Sequence, residues 1–254
     1  MILDTIAARK REEIAALKRG GIRPPEGSVA PPRGFIRALL AAPGVAIIAE
    51  AKKASPSKGV IRPDFDPCAI ARNYRDGGAQ ALSALTDRDF FQGAIEYIPL
   101  VRGAVELPVL RKDFILDPIQ IEEAAVFGAD AILLIAALLD EAQLRDFRQQ
   151  AEERGMDVLT EVHDEAELEK TLAAGANLVG INNRNLKDFS MNLETTFRLK
   201  RLIPAEIPVV SESGISSRAD MLRLKEAGVR AALIGESLMR SAEQAGTLRD
   251  FLSV

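Results

Sequence analysis

The stretch "FGADAILLI" (Phe127–Ile135) closes a helical pattern on a glycine and passes within a few residues into an unbroken apolar run. The same arrangement recurs in "GGAQALSAL" (Gly77–Leu85), "AGANLVGI" (Ala174–Ile181) and "AGVRAALIG" (Ala227–Gly235). The glycines Gly78, Gly128, Gly175 and Gly228 suit the left-handed backbone that stops a helix. Midway between these segments the chain enters apolar runs differently, through "APGVAII", "ELPVL", "GMDVL" and "EIPVV". The repeating unit is therefore a pair of βα modules, and it recurs four times. Eight such modules behind an N-terminal helix predict a (β/α)8 barrel, the TIM-barrel class of α/β fold, rather than an open doubly wound sheet.

Working outward, the apolar runs predict strands near 45–49, 81–86, 109–112, 131–135, 158–161, 178–182, 209–212 and 231–235. None alternates with polar residues, as expected of a parallel sheet covered by helices. Helical periodicity fills the intervals, and a last helix is predicted near 241–251. The whole of 1–254 reads as a single barrel domain, with 1–44 an N-terminal helical extension and linker. In that extension Ile2, Leu3, Ile6, Ile14 and Leu17 lie at helical spacing, and "GGIRPPEGSVAPPRG" (20–34) is a Gly/Pro-rich connection. The Ser/Gly/Pro-rich stretch "KKASPSKGVIRPDFDP" (52–67) reads as a candidate lid.

Composition narrows the function. The chain has 254 residues, 47% of them hydrophobic, and a formal charge of -4, which offers no basic field to nucleic acid. No apolar window is long enough to span a bilayer, and the charged N-terminus lacks a signal-peptide core, so a cytoplasmic protein without a membrane partner is expected. A single cysteine, Cys68, permits no intrachain disulfide. A single histidine, His163, argues against a His-rich metal site. No metal and no cofactor is expected. A monomer or weak homo-oligomer is the expected state.

In a barrel of this kind the chemistry sits at the C-terminal ends of the strands. Those ends carry Glu50 and Lys52, then Lys112, Glu161, Asn182, Glu212 and Ser213. The first, third, fifth and seventh strands all finish in ionisable residues although their interiors are apolar. Glu50 and Lys52, two apart on a strand, share a face, whereas Asp113 beside Lys112 points elsewhere, as a supporting partner. A lysine among carboxylates in a cleft is a natural general acid or anion binder, and the carboxylates are natural bases. Spacing alone leaves the division of roles open. The segments "SESGISS" (211–217) and "LIGESLMR" (233–240) follow the seventh strand and close the eighth, where barrels commonly bind phosphate through backbone N–H groups. Gly214 and Gly235 allow close approach there, and Ser237 opens a short helix.

These segments resemble a known family. "IIAEAKKASPSKG", "LPVLRKDFI", "LTEVHDEAEL", "VGINNRNL", "VVSESGI" and "LIGESLMR" are similar, in order, to indole-3-glycerol-phosphate synthases of tryptophan biosynthesis. The most specific segment is Glu50-x-Lys52 followed by Ser55-Pro56-Ser57. The resemblance implies closure of the indole ring of 1-(2-carboxyphenylamino)-1-deoxyribulose 5-phosphate, with loss of carbon dioxide and water. It implies that Lys112 is the general acid on the ketone oxygen and that Glu161 transfers a proton, chiefly in dehydration. By the same resemblance Lys52 supports binding and charge balance, while Glu50, Asn182, Glu212 and Ser213 orient the substrate. Ser55, Gly214, Gly235 and Ser237 match positions near the phosphate, and Arg184 a basic residue at the mouth. The lysine is expected to have its pKa lowered by burial or a neighbouring cation.

Ala51 stands where the family is expected to carry a larger apolar residue, on the side facing the helices. His163 reads as a structural, hydrogen-bonding residue and Cys68 as a packed small one. Phe91 and Phe114 are the better candidates, ahead of Phe90 and Phe189, for lining an aromatic pocket. The alternatives are a phosphoribosylanthranilate isomerase-like barrel, which would need a cysteine at the end of the first strand, and a non-catalytic barrel that binds a phosphorylated ligand.

Overall fold

The computed structural model describes residues 2–185 and 189–254. Its centre is a closed barrel of eight parallel strands: β1 (Ala46–Ala51), β2 (Ala81–Leu85), β3 (Val109–Lys112), β4 (Ala131–Ile135), β5 (Asp157–Val162), β6 (Val179–Asn182), β7 (Val209–Glu212) and β8 (Ala231–Ile234). Each strand pairs with its sequence neighbours, and β1 closes the ring against β8, Ala46 opposite Ala231. The predicted strands all form, with ends displaced by a residue or two, as fraying termini commonly are.

Around the barrel run α3 (Pro67–Asp76), α5 (Tyr97–Ala104), α6 (Pro118–Val126), α7 (Glu141–Glu152), α8 (Glu165–Ala173), α9 (Glu194–Lys200), α10 (Arg218–Glu226) and the final helix α12 (Gln244–Leu252). Asp66, Asp117, Asp140, Asp164 and Ser217 cap α3, α6, α7, α8 and α10 with side-chain oxygens, which satisfies N–H groups that a helix start leaves free. The four repeat glycines adopt positive φ, 92° at Gly78, 79° at Gly128, 80° at Gly175 and 71° at Gly228. The helix stops are thus those expected from sequence. Two short helices, α4 (Arg88–Phe91) and α11 (Glu236–Arg240), sit in the loops after β2 and β8.

Strand side chains divide by parity. Outward residues such as Ile47, Ala49, Ala51, Val109, Ile132 and Val179 pack against the helices, and Ala51 is on that side as expected. Inward residues such as Ile48, Leu110, Leu133, Leu159, Val210 and Leu233 fill the barrel. On β1 the inward parity continues through Glu50 to Lys52, just past the strand.

Two helices precede the barrel. α1 (Ile2–Gly20) follows the predicted periodicity, burying Leu3, Ile6 and Ile14. α2 (Phe35–Ala41) was not foreseen, being too short to show a helical repeat. It plugs the N-terminal end: Phe35 and Leu39 join the interior cluster with Ala46, Ala81, Ala131 and Ala231. Hydrogen bonds from Ile36 N to Asp157 Oδ2 (2.8 Å) and from Arg230 to the carbonyls of Leu40 and Ala42 (both 2.6 Å) tie it to strand starts. The candidate lid after β1 contains a small hairpin, Ala54–Ser55 paired with Gly59–Val60. Among the described residues no helix is long and apolar enough to cross a membrane.

Candidate active site

At the C-terminal end of the barrel, α1 lies across the ends of β2 and β3. Its Arg9 meets Asp89 (2.5 Å), its Lys18 meets Asp117 (2.5 Å), and its buried Lys10 meets Asp87 (2.8 Å) and Asp113 (2.9 Å). Asp113 also accepts hydrogen bonds from Thr86 Oγ1 and Arg111, so at the border of the cavity its carboxylate is taken up by the frame rather than by Lys112. The cavity so enclosed has two lobes. The first is lined by Ile2, Leu3 and Ile6 of α1, with Leu85, Phe91, Phe114 and Phe189. The second is lined by Ser213, Gly214, Ile215, Gly235, Ser237 and Arg240. Glu50, Lys52 and Arg184 border both.

At the floor, Lys112 Nζ is 2.5 Å from Glu212 Oε2 and 3.3 Å from Glu161 Oε2. Lys52 Nζ is 2.6 Å from Glu50 Oε1. The three carboxylates are buried, with 1% to 4% of each residue exposed, because they point inward from β1, β5 and β7 beneath α1. Asn182 donates to Glu161 while its Oδ1 accepts the backbone N–H of Arg184 at 3.0 Å.

Burial disfavours charge on all of these groups, yet their partners decide the outcome differently at each. For Lys112 desolvation pulls downward most strongly, but Glu212, Glu161 and Glu50 together raise its pKa above the ordinary lysine value. This overturns the expectation of a lowered lysine: no cation outweighs the three carboxylates around it. Glu50 stays below its ordinary value because Lys52 and Lys112 outweigh its burial. Glu161 is likewise lowered, by Lys112, by His163 and by the Asn182 hydrogen bond, against its desolvation. Glu212 goes the other way, pushed up to about 7 by burial and by repulsion from Glu161 and Glu50 despite Lys112. Two lysines thus face two ionised carboxylates, and the third carboxyl titrates near neutrality.

Two glycines make room for this packing. A Cβ on Gly180 would come within 2.2 Å of Glu212 Oε1, and one on Gly235 within 2.5 Å of Glu50 Oε1. Gly235, expected only at a phosphate, therefore also seats Glu50. Ser237 Oγ is engaged in a 2.8 Å bond to the carbonyl of Ile215. The helix it belongs to, α11, starts at Gly235 with no side-chain cap. Ser55 does not join this group: the hairpin places it on the first lobe with Pro56 and Ser57. Ser213 has a left-handed backbone, φ 66°, at the turn out of β7.

Of the remaining candidates, Phe91, Phe114 and Phe189 line the mouth and Phe90 does not. Cys68 sits in the first turn of α3, its Sγ 3.6 Å from the carbonyl of Leu100, and is not at the mouth. The end of β1 offers no cysteine for an isomerase-like site. His163 forms the expected hydrogen bond, to Glu167, but also stands against Glu161. Leu186, last residue of the "VGINNRNL" segment, lies outside the described residues. Sequence reasoning missed α1 as a wall of the cavity; its buried apolar face was the signal, but its docking place was not.

The profile of the family described as indole-3-glycerol phosphate synthase matches residues 3–251. The chain belongs to that family. A family member named indole-3-glycerol phosphate synthase from Desulfotalea psychrophila is 63% identical over 253 residues, covering 98% of this chain and 97% of its own. Another, from Chlorobium luteolum, is 52% identical over 249 residues, covering 96% and 95%. Among solved structures, a 3-hexulose-6-phosphate synthase from Salmonella typhimurium superposes with a TM-score of 0.67 at 14% identity, over 82% of this chain and 97% of its own. At that identity the likeness concerns the barrel alone.

Proposed function

We propose that the lysine–carboxylate floor carries the family's reaction, the decarboxylating ring closure of 1-(2-carboxyphenylamino)-1-deoxyribulose 5-phosphate to indole-3-glycerol phosphate. The observation that carries this reading is Lys112, gripped by Glu161 and Glu212 at the junction of an aromatic-lined lobe and a glycine-rich polar lobe. The anthranilate ring occupies the first lobe, between α1 and the phenylalanines. The phosphate occupies the second, facing Gly214 and the uncapped start of α11. Lys52 and Arg184, bordering both lobes, balance the substrate's two anionic ends.

In this reading the ring carbon attacks the ketone as Lys112 protonates the ketone oxygen. A raised lysine pKa suits that step, because the ammonium is fully charged near neutrality and the developing alkoxide is a stronger base than an amine. Carbon dioxide then leaves, and the electron pair of its bond restores the aromatic ring with no proton released. Glu161, held as a carboxylate, takes a proton from the methylene carbon beside the nitrogen and passes it to the hydroxyl, which departs as water. Glu50, Asn182, Glu212 and Ser213 orient these groups.

The test is turnover of that substrate, followed by indole fluorescence, in the wild type and in Lys112→Ala. The expected result is measurable turnover that falls by about 10²–10⁴-fold in the variant, with far-UV circular dichroism unchanged. A folded wild type that binds the substrate without turning it over would establish a binding barrel instead. Full activity in Lys112→Ala would remove Lys112 from the acid role.

A further inference from the structure

His163 lies one residue beyond β5, and its ring is set between two carboxylates. Nδ1 is 3.0 Å from Glu167 Oε2, and the same oxygen accepts the His163 backbone N–H at 2.8 Å. Glu167 is in the first turn of α8, so the ring is anchored to the helix layer. Nε2 points the opposite way, 3.4 Å from Glu161 Oε1, and this buried atom has no hydrogen-bond partner among the described residues. Glu161 is thereby flanked on both oxygens: Lys112 faces Oε2 and His163 faces Oε1. His163 does not border the reaction mouth; it borders an adjoining polar cavity, with Asp4, Asp164 and Arg198, that shares Leu3, Asn182 and Arg184 with the mouth.

We propose that His163 is a positioning residue for Glu161: braced by Glu167, its Nε2–H and positive charge hold the Glu161 carboxylate in place and ionised for proton transfer. The proposal rests on the assignment of Glu161 to that step. Its electrostatic sense is supported by the balance of charges around the ring. Burial lowers the ring's affinity for a second proton, but the Glu167 hydrogen bond and the charges of Glu161, Glu167 and Glu212 more than restore it. Conversely, the charge of His163 is among the causes that keep Glu161 below its ordinary value. Arg184 and Arg198, on the adjoining cavity, oppose a charged ring, and Asp4 and Asp164 favour it.

Two substitutions separate bracing from the contact with Glu161. His163→Asn keeps a donor near the Nδ1 position and loses Nε2, whereas His163→Gln places a donor near Nε2, and neither carries charge. The proposal expects the acid limb of the kcat profile to move to higher pH in both, by roughly half a unit or more. On the acid side of the limb kcat should fall about threefold or more with KM within twofold, and Gln should retain more turnover than Asn. Glu167→Gln, which loosens the brace while leaving the histidine in place, should shift the limb in the same direction and covers the case in which a His163 variant does not fold. A purely structural histidine would lower the melting temperature and leave the limb where it was, which would overturn the proposal. Glu161→Gln is the control for the underlying assignment. If it retains full turnover, that assignment fails; if it loses turnover while the His163 and Glu167 variants keep a wild-type limb, only the positioning role fails.

Discussion

Glu212 presents the sharpest conflict in the site, because it is almost fully buried and only one of its oxygens is bonded. Oε2 takes the Lys112 ammonium, while Oε1 is without a partner among the described residues and rests against the bare backbone of Gly180. That glycine has no need of its conformational freedom, since its φ is not positive; it is required for space. Gly180→Ala would put a methyl group 2.2 Å from Oε1, so the carboxylate must swing and drag Lys112 with it. The expected outcome is a fall in kcat on the order of tenfold or more, following the sensitivity of catalysis to small displacements. Adding Glu212→Asp, one methylene shorter, should recover part of the loss, and steady-state kinetics on the two variants check it. The strand-end acids and lysines were legible from sequence, because inward parity and barrel topology together aim them at one mouth. The glycine was not. A glycine inside a strand announces a close neighbour, but naming that neighbour as an acid from β7 takes the pairing of β6 with β7.

At the scale of the element, α1 is attached to the barrel by charge as much as by apolar contact. Lys10 is 3% exposed and has carboxylate oxygens of Glu13, Asp87 and Asp113 within 2.7–2.9 Å. Burial alone would lower its pKa, but Asp113 and Asp87 raise it instead, while Asp113 is held well below its ordinary value, against its burial, by Lys10 and Arg111. Lys10→Met would leave both aspartates buried with fewer partners, a loss of about 3–5 kcal/mol. For a chain of this size that corresponds to a fall in melting temperature on the order of 10 °C. The sign of the pH dependence follows from Asp113. A carboxylate whose folded pKa is depressed contributes stability above its unfolded value, about 4, and loses it as pH falls through the folded value. The difference between wild type and Lys10→Met is therefore full at pH 7 and narrows on acidification below about pH 4. Thermal melts at a series of pH values measure it. The helix itself was legible from its apolar spacing. Its docking was not, because a lysine in a charged run reads as solvated until the aspartates that follow β2 and β3 are brought beneath it.

Across the whole molecule the two helices before the barrel serve opposite ends. α2 closes the bottom, where the inward residues that begin β1, β2, β4 and β8 are all alanine. Those small side chains leave the width that Phe35 and Leu39 occupy, which is why the plug is a helix with two large apolar residues rather than further strand side chains. Neither the plug nor its seat was recognisable from sequence. The alanines were visible at each strand start, but their purpose depends on eight strands converging. α1 closes the top, and Ile2, Leu3 and Ile6 reach the cavity. This separation predicts that stability and turnover can be altered independently. Phe35→Ala removes a fully buried ring from the plug, at a cost of about 3–5 kcal/mol, and lies at the end of the barrel away from Lys112. It should lower the urea midpoint while kcat and KM stay within about twofold of wild type at 25 °C, as for other changes remote from a site they do not touch. Ile6→Ala shortens a side chain that is both buried in α1 and exposed to the aromatic lobe. It should also cost stability, about 2–5 kcal/mol at most, but must in addition raise KM, because the wall against which the anthranilate ring is proposed to pack has receded. Equal effects of the two variants on KM would mean that α1 is only a cover, and the aromatic lobe would then have to be formed by Phe91, Phe114 and Phe189 alone.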